Sequence, residues 1–267
     1  MDILVVGARG GLGRLICEEL TARGHTARTV ERAAARDPEA LAAAAKGTGA
    51  LIDCAGASVA MGLGKGWRGY GAVDVPIGLA CIEAARRADV RMVYVGVHHD
   101  PRQAATAYVG AHERVAAAMN RVDGVVVRAT GFFSAYAALL PLARKDRLVD
   151  IGRGDVRTNP IHERDLAGVV VDAAFGDGPR EIAAGGPDVL TRRRIFEMVG
   201  EATGKAVRVR SVPVWFAAFG AACLRVLHPR MGQFARFAVA LARCDAIAPS
   251  LGTRRFADYF SGEVGAA

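Results

Sequence analysis

The chain begins with an apolar run, Ile3-Leu4-Val5-Val6, that passes directly into Gly7-Ala8-Arg9-Gly10-Gly11-Leu12-Gly13 and then into a helical stretch from Arg14 to Arg23. Four consecutive apolar residues describe a strand covered on both faces, which is the habit of parallel sheets flanked by helices. The glycines let the backbone turn tightly and leave room for another group to approach it. The helix that follows offers free N–H groups and a partial positive charge to an anion. Strand, glycine-rich turn and helix in this order form the front end of a dinucleotide site, with the pyrophosphate seated on the helix N-terminus. Gly7, Ala8, Arg9, Gly10, Gly11, Leu12 and Gly13 are therefore expected to contact a cofactor.

Strand and helix signals go on alternating after this unit. Strands are predicted at Asp2–Val6, Thr26–Val30, Ala50–Cys54, Arg91–Val97 and Gly124–Arg128, and helices at Pro38–Lys46, Val73–Arg87 and Ala107–Arg121. Alternation of this kind implies βαβ units with right-handed crossovers, hence an α/β fold built on a doubly wound parallel sheet. From Phe132 onward the regularity loosens. Gly152–Asp155 and Ala183–Pro187 read as turns, Asp165–Phe175 and Thr191–Thr203 as helices, and Val207–Val212 as a strand, before a remainder rich in Ala, Phe and Leu. No linker separates two independent units. The expected organisation is one nucleotide-binding domain over residues 1–267, with a smaller C-terminal α/β lobe built mainly from residue 132 onward.

Composition narrows the function. At 52% hydrophobic and 23% charged residues the chain is an ordinary globular protein. A net charge of +8 favours anionic ligands, but the basic residues are nearly all Arg and scattered, so no nucleic-acid surface is expected. The five cysteines are odd in number and form neither a CxxC pair nor a Cys/His cluster. Reduced thiols, a cytoplasmic location and no metal site follow as expectations. Met1-Asp2 runs directly into the first strand, so no signal peptide is expected. No apolar stretch reaches the length of a membrane span. Val212–Leu227 comes closest, but Arg225 and its Gly and Pro residues fit a packed or interfacial helix better.

Three further places carry chemistry. At the end of the second strand stand Glu31 and Arg32, where an acid binds the adenosine ribose and a base the extra phosphate of NADP. With Arg9 in the glycine loop, two arginines against one glutamate tilt the choice toward NADP(H) over NAD(H). Asp53-Cys54-Ala55-Gly56 closes the next strand with small residues. Ala55 and Gly56 let a cofactor ribose pass close to the backbone, and Cys54 reads as a small buried side chain. Tyr108 and His112 stand four residues apart, on one face of a helix, and converge on one site. A positive charge beside the phenol favours the phenolate, which suits Tyr108 to general acid or base work.

Gly7–Gly13, Asp53–Gly56 and Tyr108–His112, in this order, resemble the short-chain dehydrogenase/reductase superfamily, and in detail its atypical, NmrA-like branch related to sugar epimerases. Arg128-Ala129-Thr130-Gly131-Phe132 is similar to the Arg-Pro-Thr-Gly-Phe segment of that branch, whose backbone faces the nicotinamide. The resemblance implies a Rossmann fold and cofactor contacts from Val95, Gly96, Thr130, Gly131 and Phe132, with Cys54, Ala55, Gly56 and His112 beside them. It also extends to Asn159-Pro160-Ile161-His162 at the entry to the second lobe, and it implies a homodimer.

The departures concern catalysis. The family's pattern is Tyr-xxx-Lys, and His112 stands in place of the lysine, where an imidazole is shorter and mostly neutral. The family's serine falls at Gly96, which has no hydroxyl to hold a substrate carbonyl; His98 or His99 is an alternative donor. The leading expectation is an oxidoreductase acting on a small carbonyl or alcohol, with Tyr108 as proton donor and His112 as its electrostatic and ribose-binding partner. A non-catalytic cofactor-binding regulator or assembly factor is the alternative. Met61–Tyr70 is either a flap over the ligand or a solvent loop. Phe216, Phe219, Leu224, Val226, Phe234 and Phe237 read as the lining of the second lobe, forming a substrate pocket or a dimer face.

Overall fold

A computed structural model describes residues 1–57, 67–204 and 207–262. The chain runs through β1 (Asp2–Val6), α1 (Gly11–Ala22), β2 (Thr26–Thr29), α2 (Pro38–Ala45), β3 (Ala50–Asp53), α3 (Tyr70–Ala88), β4 (Arg91–Val97), α4 (Ala107–Ala118) and β5 (Gly124–Ala129). It continues with α5 (Phe133–Ala137), α6 (Leu140–Ala143), β6 (Val149–Ile151), β7 (Arg157–Thr158), α7 (Glu163–Phe175), β8 (Glu181–Ala184), β9 (Leu190–Thr191) and α8 (Arg192–Glu201). The last elements are β10 (Arg210–Val212), α9 (Val214–Leu227), α10 (Pro229–Leu241) and α11 (Phe256–Ser261).

Six strands form one parallel sheet in the order β2-β1-β3-β4-β5-β8. The chain leaves β1 to one side for β2 and crosses to the other for β3, so the strand order reverses between β1 and β3. In open α/β sheets the crevice above such a reversal is where ligands bind. Alternate side chains of each strand point to opposite faces. Ile3 and Val5 join Ile16, Leu20 and Val170 beneath α1 and α7, while Leu4 and Val6 join Leu41, Ile77, Met92 and Val115 beneath α2, α3 and α4. The chain is thus a doubly wound Rossmann-type sheet, as its alternation predicts.

Two local details show how sequence sets these elements. Pro76 lies inside α3 and cannot donate to the Ala72 carbonyl one turn back, so Arg36 donates to that oxygen instead, at 3.3 Å. His162 caps α7 by accepting from the Arg164 N–H at 3.0 Å, and so serves as a helix-entry residue.

Some elements depart from the sequence expectation. The first helix starts at Gly11 rather than Arg14, because the glycine turn already has helical geometry there. Ala183-Ala184 belongs to the sixth strand, not to a turn: pairing with β5 extends a segment whose own pattern is weak. The region after Phe132 folds around a third core of Phe133, Leu148, Ile195, Val199, Phe256 and Phe260. Small two-stranded ladders, β6 with β10 and β7 with β9, lie alongside it. Phe216, Phe219 and Val226 do not line this lobe; they are 55, 66 and 81% exposed on the outside of α9. Of the Met61–Tyr70 segment, residues 61–66 lie outside the described residues, and Trp67 packs on His228 with ring centroids 4.6 Å apart. No described helix is long and apolar enough to cross a membrane.

Candidate functional site

The carboxyl edge of the sheet brings together most of the residues singled out from sequence. Gly7 follows β1, Glu31 and Arg32 lie just past β2, Cys54–Gly56 follow β3, Gly96 stands one residue before the end of β4, and Thr130–Phe132 follow β5, all on one rim. The glycines have distinct reasons. Gly7 has a φ of +98°, and a side chain there would stand 2.8 Å from the Ala55 nitrogen. At Gly13 a Cβ would overlap the Gly7 carbonyl oxygen at 2.1 Å, so α1 packs directly on the loop. Gly11 meets nothing within 4 Å, and Gly10 only the Gly7 oxygen at 3.2 Å. Packing therefore accounts for Gly7 and Gly13, crowds Gly10 slightly, and leaves open space over Gly11.

That space fits a diphosphate. Gly10 is the N-cap of α1 and caps it with no side chain, so the first N–H groups of the helix, at Gly11, Leu12 and Gly13, have no intrahelical acceptor. Anionic oxygens are the ligands such a helix end accepts. Arg9 reaches across to an ion pair with Glu31, and both are largely exposed. An exposed pair of this kind is worth about 0–1 kcal/mol, so it would yield to another anion at little cost.

Along the rim the other cofactor candidates are held by the fold. The Cys54 thiol donates to the Val6 carbonyl at 3.3 Å, and burial pushes its pKa up, which makes it an inert small side chain. Val95 packs against the core beneath α1 and α7. Thr130 donates through its N–H to the Ala184 carbonyl at 3.0 Å and through its hydroxyl to the Asn159 carbonyl at 2.7 Å. Both of its donors thus tie β5 to the second lobe rather than facing outward. A Cβ at Gly131 would come within 2.9 Å of the Tyr136 hydroxyl, which would have to give way, and Phe132 packs on the core. Gly96 is different: a Cβ there finds only ordinary contacts, with Val126 at 3.4 Å and Tyr94 at 3.6 Å. Gly96→Ser is accordingly expected to fold normally, with thermal unfolding shifted by no more than about 3 °C; a larger loss would mean the rim is tighter than it looks.

Tyr108 and His112 share one face of α4, which Thr106 caps, with ring centroids 4.9 Å apart. Three aromatic contacts surround Tyr108: Tyr70 at 5.0 Å and Phe237 at 4.7 Å, in addition to His112. Among the described residues none hydrogen-bonds its hydroxyl. Burial, with Asp74 and Tyr70 nearby, pushes the phenol pKa well above 10. The expected phenolate is therefore not what this environment favours. Tyr108 stays a phenol.

The electrostatic support expected from His112 is also absent. Burial drives its pKa down to about 4, so the ring is neutral at physiological pH. Its Nδ1 lies 2.7 Å from the Tyr94 hydroxyl. Burial keeps Tyr94 protonated, so Tyr94 donates and Nδ1 accepts. The hydrogen then sits on Nε2, and His112 offers a neutral N–H in place of a lysine's charge. His98 and His99 point elsewhere: their ring nitrogens lie 3.0 Å from the Ile247 carbonyl and 3.2 Å from the Val97 carbonyl.

Sequence reasoning missed the acidic floor of the site. Asp74, on α3, accepts from the Ala57 N–H at 2.7 Å, while its second oxygen is buried with no hydrogen bond. Asp53, at the end of β3, accepts from the Ala55 N–H at 3.0 Å and has a second orphaned oxygen. Burial raises Asp53 to about 7 and Asp74 to about 6, with each N–H bond working against that rise. The available signal was Asp74 itself, a carboxylate between Val73 and Val75 in a helix of mostly apolar residues. From α10, Gln233 closes the arrangement by accepting from the Tyr70 N–H at 3.0 Å.

These acids have a testable consequence for stability. Between about pH 4 and 7 the folded chain holds protons that the unfolded chain has released. Their contribution is thus present at low pH and is lost as pH rises through about 6 to 7. Asp74→Asn keeps an oxygen for the Ala57 N–H and removes the ionisable group. It is expected to stabilise the protein by on the order of 2 kcal/mol at pH 8, with no gain at pH 4. Urea titrations at the two pH values measure this, and an equal effect at both would contradict it.

No sequence-family model and no curated protein sequence matches the chain. Solved structures do. A nucleoside-diphosphate-sugar epimerase from Staphylococcus aureus is 17% identical, with 98% of this chain and 100% of that chain covered and a TM-score of 0.69. The dTDP-4-dehydrorhamnose reductase of Bacillus anthracis, solved in complex with NADP, is 11% identical over 97% of each chain, also with a TM-score of 0.69. The NADPH-dependent quinone oxidoreductase QOR2 of Escherichia coli, solved with NADPH, is 20% identical over 90% of this chain and 88% of that one, with a TM-score of 0.64. This chain has the Rossmann-type fold of the NAD(P)-binding epimerases and reductases.

Proposed function

We propose that the protein binds NADP(H) in preference to NAD(H) and is an oxidoreductase acting on a small carbonyl or alcohol. The observation that carries the reading is a conjunction on one sheet edge. A loop with backbone room over Gly11 follows β1, and the helix after β4 carries a phenol, Tyr108, whose hydroxyl has no partner among the described residues. When bound, the nicotinamide supplies or takes up hydride. The chain's own residues do the rest. Gly11, Leu12 and Gly13 donate N–H groups to the diphosphate, and the small Ala55 and Gly56 let the ribose pass. Tyr108 gives its proton to the substrate oxygen during reduction. His112 donates from Nε2 to the cofactor ribose, its ring held by Tyr94.

Arg9 and Arg32 support NADP(H), since a 2′-phosphate replaces the Glu31 carboxylate as the partner of Arg9. Arg32→Ala is expected to weaken NADPH binding by about tenfold while leaving NADH unchanged. Parallel fluorescence titrations with the two cofactors measure the ratio, and equal losses for both would remove Arg32 from phosphate recognition. The same titrations, followed by NAD(P)H consumption against a panel of aldehydes, ketones and quinones, test the reading as a whole. Failure to bind either cofactor would end it.

Two specific observations favour a second reading, a cofactor-binding regulator without turnover. Gly96 brings no hydroxyl to the substrate, and His112 brings no charge to lower the Tyr108 pKa. Tight NADPH binding with no turnover on the whole panel is its signature.

A further inference from the structure

We propose that the outer face of α9, with the arginines around it, docks this protein onto an anionic lipid surface. Trp215, Phe219 and Val226 are 71, 66 and 81% exposed, and Phe216 and Leu227 are also exposed. At 3.6 residues per turn these five fall on one side of the helix, opposite Ala221, its one fully buried residue. α9 is covered on its inner side by α10 and left bare on the other. A bare apolar face bearing a tryptophan and two phenylalanines marks an interaction surface.

Charge identifies the occupant. The arginines are spread along the chain, but the acids are not: residues 207–244 hold six arginines and no Asp or Glu. This one hairpin and its leading strand therefore hold most of the protein's net charge of +8. Arg208 and Arg210 are exposed just before α9, and Arg225 lies in its last turn. Arg225, Arg236 and Arg243, together with Arg102, line a cavity of about 580 Å³ between α9 and α10. None of Arg225, Arg236 and Arg243 has an ion-pair partner among the described residues. Arg102 and Arg210 pair with Asp100 and Asp146, but a second copy of the chain meeting this face would set Arg225, Arg236 and Arg243 against their own counterparts, with no acid in residues 207–244 to pair with them. An anionic bilayer answers both halves of the surface, the apolar ridge and the cations.

The geometry fits lying in the interface rather than crossing it. Fourteen residues make a helix of about 21 Å, short of the roughly 30 Å hydrocarbon core. Tryptophan prefers the headgroup boundary, and arginine side chains reach outward to phosphates. The inner partner α10 also supplies Phe237 to Tyr108 and Gln233 to Tyr70, so the docked face lies directly behind the candidate site.

The test is flotation of the full-length protein with vesicles, which reads binding independently of cofactor or turnover. Vesicles of phosphatidylcholine with one-third phosphatidylglycerol are expected to carry the protein, and pure phosphatidylcholine to leave it behind. Replacing Trp215 and Phe219 together by Ser should weaken flotation by at least about tenfold, and Arg208→Gln with Arg210→Gln by about fivefold. Raised salt should weaken it as well. In a Trp67→Phe protein, the emission of Trp215 should shift to the blue on anionic vesicles. The two arginine replacements are at exposed positions and keep the test alive if the serine variant does not fold. No flotation, equal flotation on both lipids, or no effect of the replacements would overturn the proposal. So would a dimer in solution that Trp215→Ser dissociates, which would make the face a contact between copies. Binding to soluble polyglutamate without binding to vesicles would assign it to an acidic protein instead.

Discussion

Gly13→Ala is expected to destabilise the protein by upward of about 3 kcal/mol and to abolish cofactor binding. The added Cβ would lie 2.1 Å from the Gly7 carbonyl oxygen and 2.8 Å from the Ala8 Cα. Both are backbone atoms of a turn pinned by β1, so neither can rotate aside. Relief requires α1 to move off the loop, which carries the first N–H groups away from the diphosphate. The control is two residues upstream. Gly11 meets nothing within 4 Å, and Gly11→Ala replaces a glycine in a helix. It is expected to be stabilising by about 0.5–1 kcal/mol through the lower entropy of the unfolded chain. Any loss in Gly11→Ala should appear in NADPH affinity alone. Urea unfolding and cofactor titration on the two variants separate these effects, and matching stabilities would refute the steric account of the loop.

The second large effect concerns Tyr108. Tyr108→Phe should lower kcat by about 10²–10³-fold while changing NADPH affinity less than about twofold. The ring contacts with Tyr70, Phe237 and His112 are kept by phenylalanine, so stability should scarcely change. Only the proton is removed. Because burial holds the phenol pKa well above 10, no rise in rate from phenolate formation is expected up to about pH 9. Single-turnover kinetics across that range would show it, and undiminished turnover in the variant would exclude Tyr108 as donor. His112→Ala should act more mildly, since a neutral ring supplies a hydrogen bond and no charge.

The contrast between what the sequence reveals and what it hides follows from distance along the chain. β1, the glycine turn and α1 are contiguous, and each needs only local rules: an apolar run, glycines where backbones approach, a helix after them. The Tyr108–His112 pair was legible for the same reason, because four residues of helix define one face. The partners of Tyr108 were not. Tyr70 comes from α3 and Phe237 from α10, and the two meet at Tyr108 only because α10 packs back against α4. β8 was missed because Glu181–Ala184 is short and polar at its start, so only pairing with β5 makes it a strand. The neutral state of His112 was hidden as well, because it depends on Tyr94 reaching it from the neighbouring β4.

The position of β8 has a practical consequence for anyone dissecting this protein. The sheet recruits its last strand, and α7 before it, only after the chain has made part of the second lobe. A fragment ending near residue 150 would lack both, exposing Ile16, Leu20 and Val93 on one face and an unpaired β5 at the edge. Thr130, bonded to Ala184 and to Asn159, would lose both anchors. The two halves are interleaved like the fingers of clasped hands, and the N-terminal portion can be studied only within the whole chain.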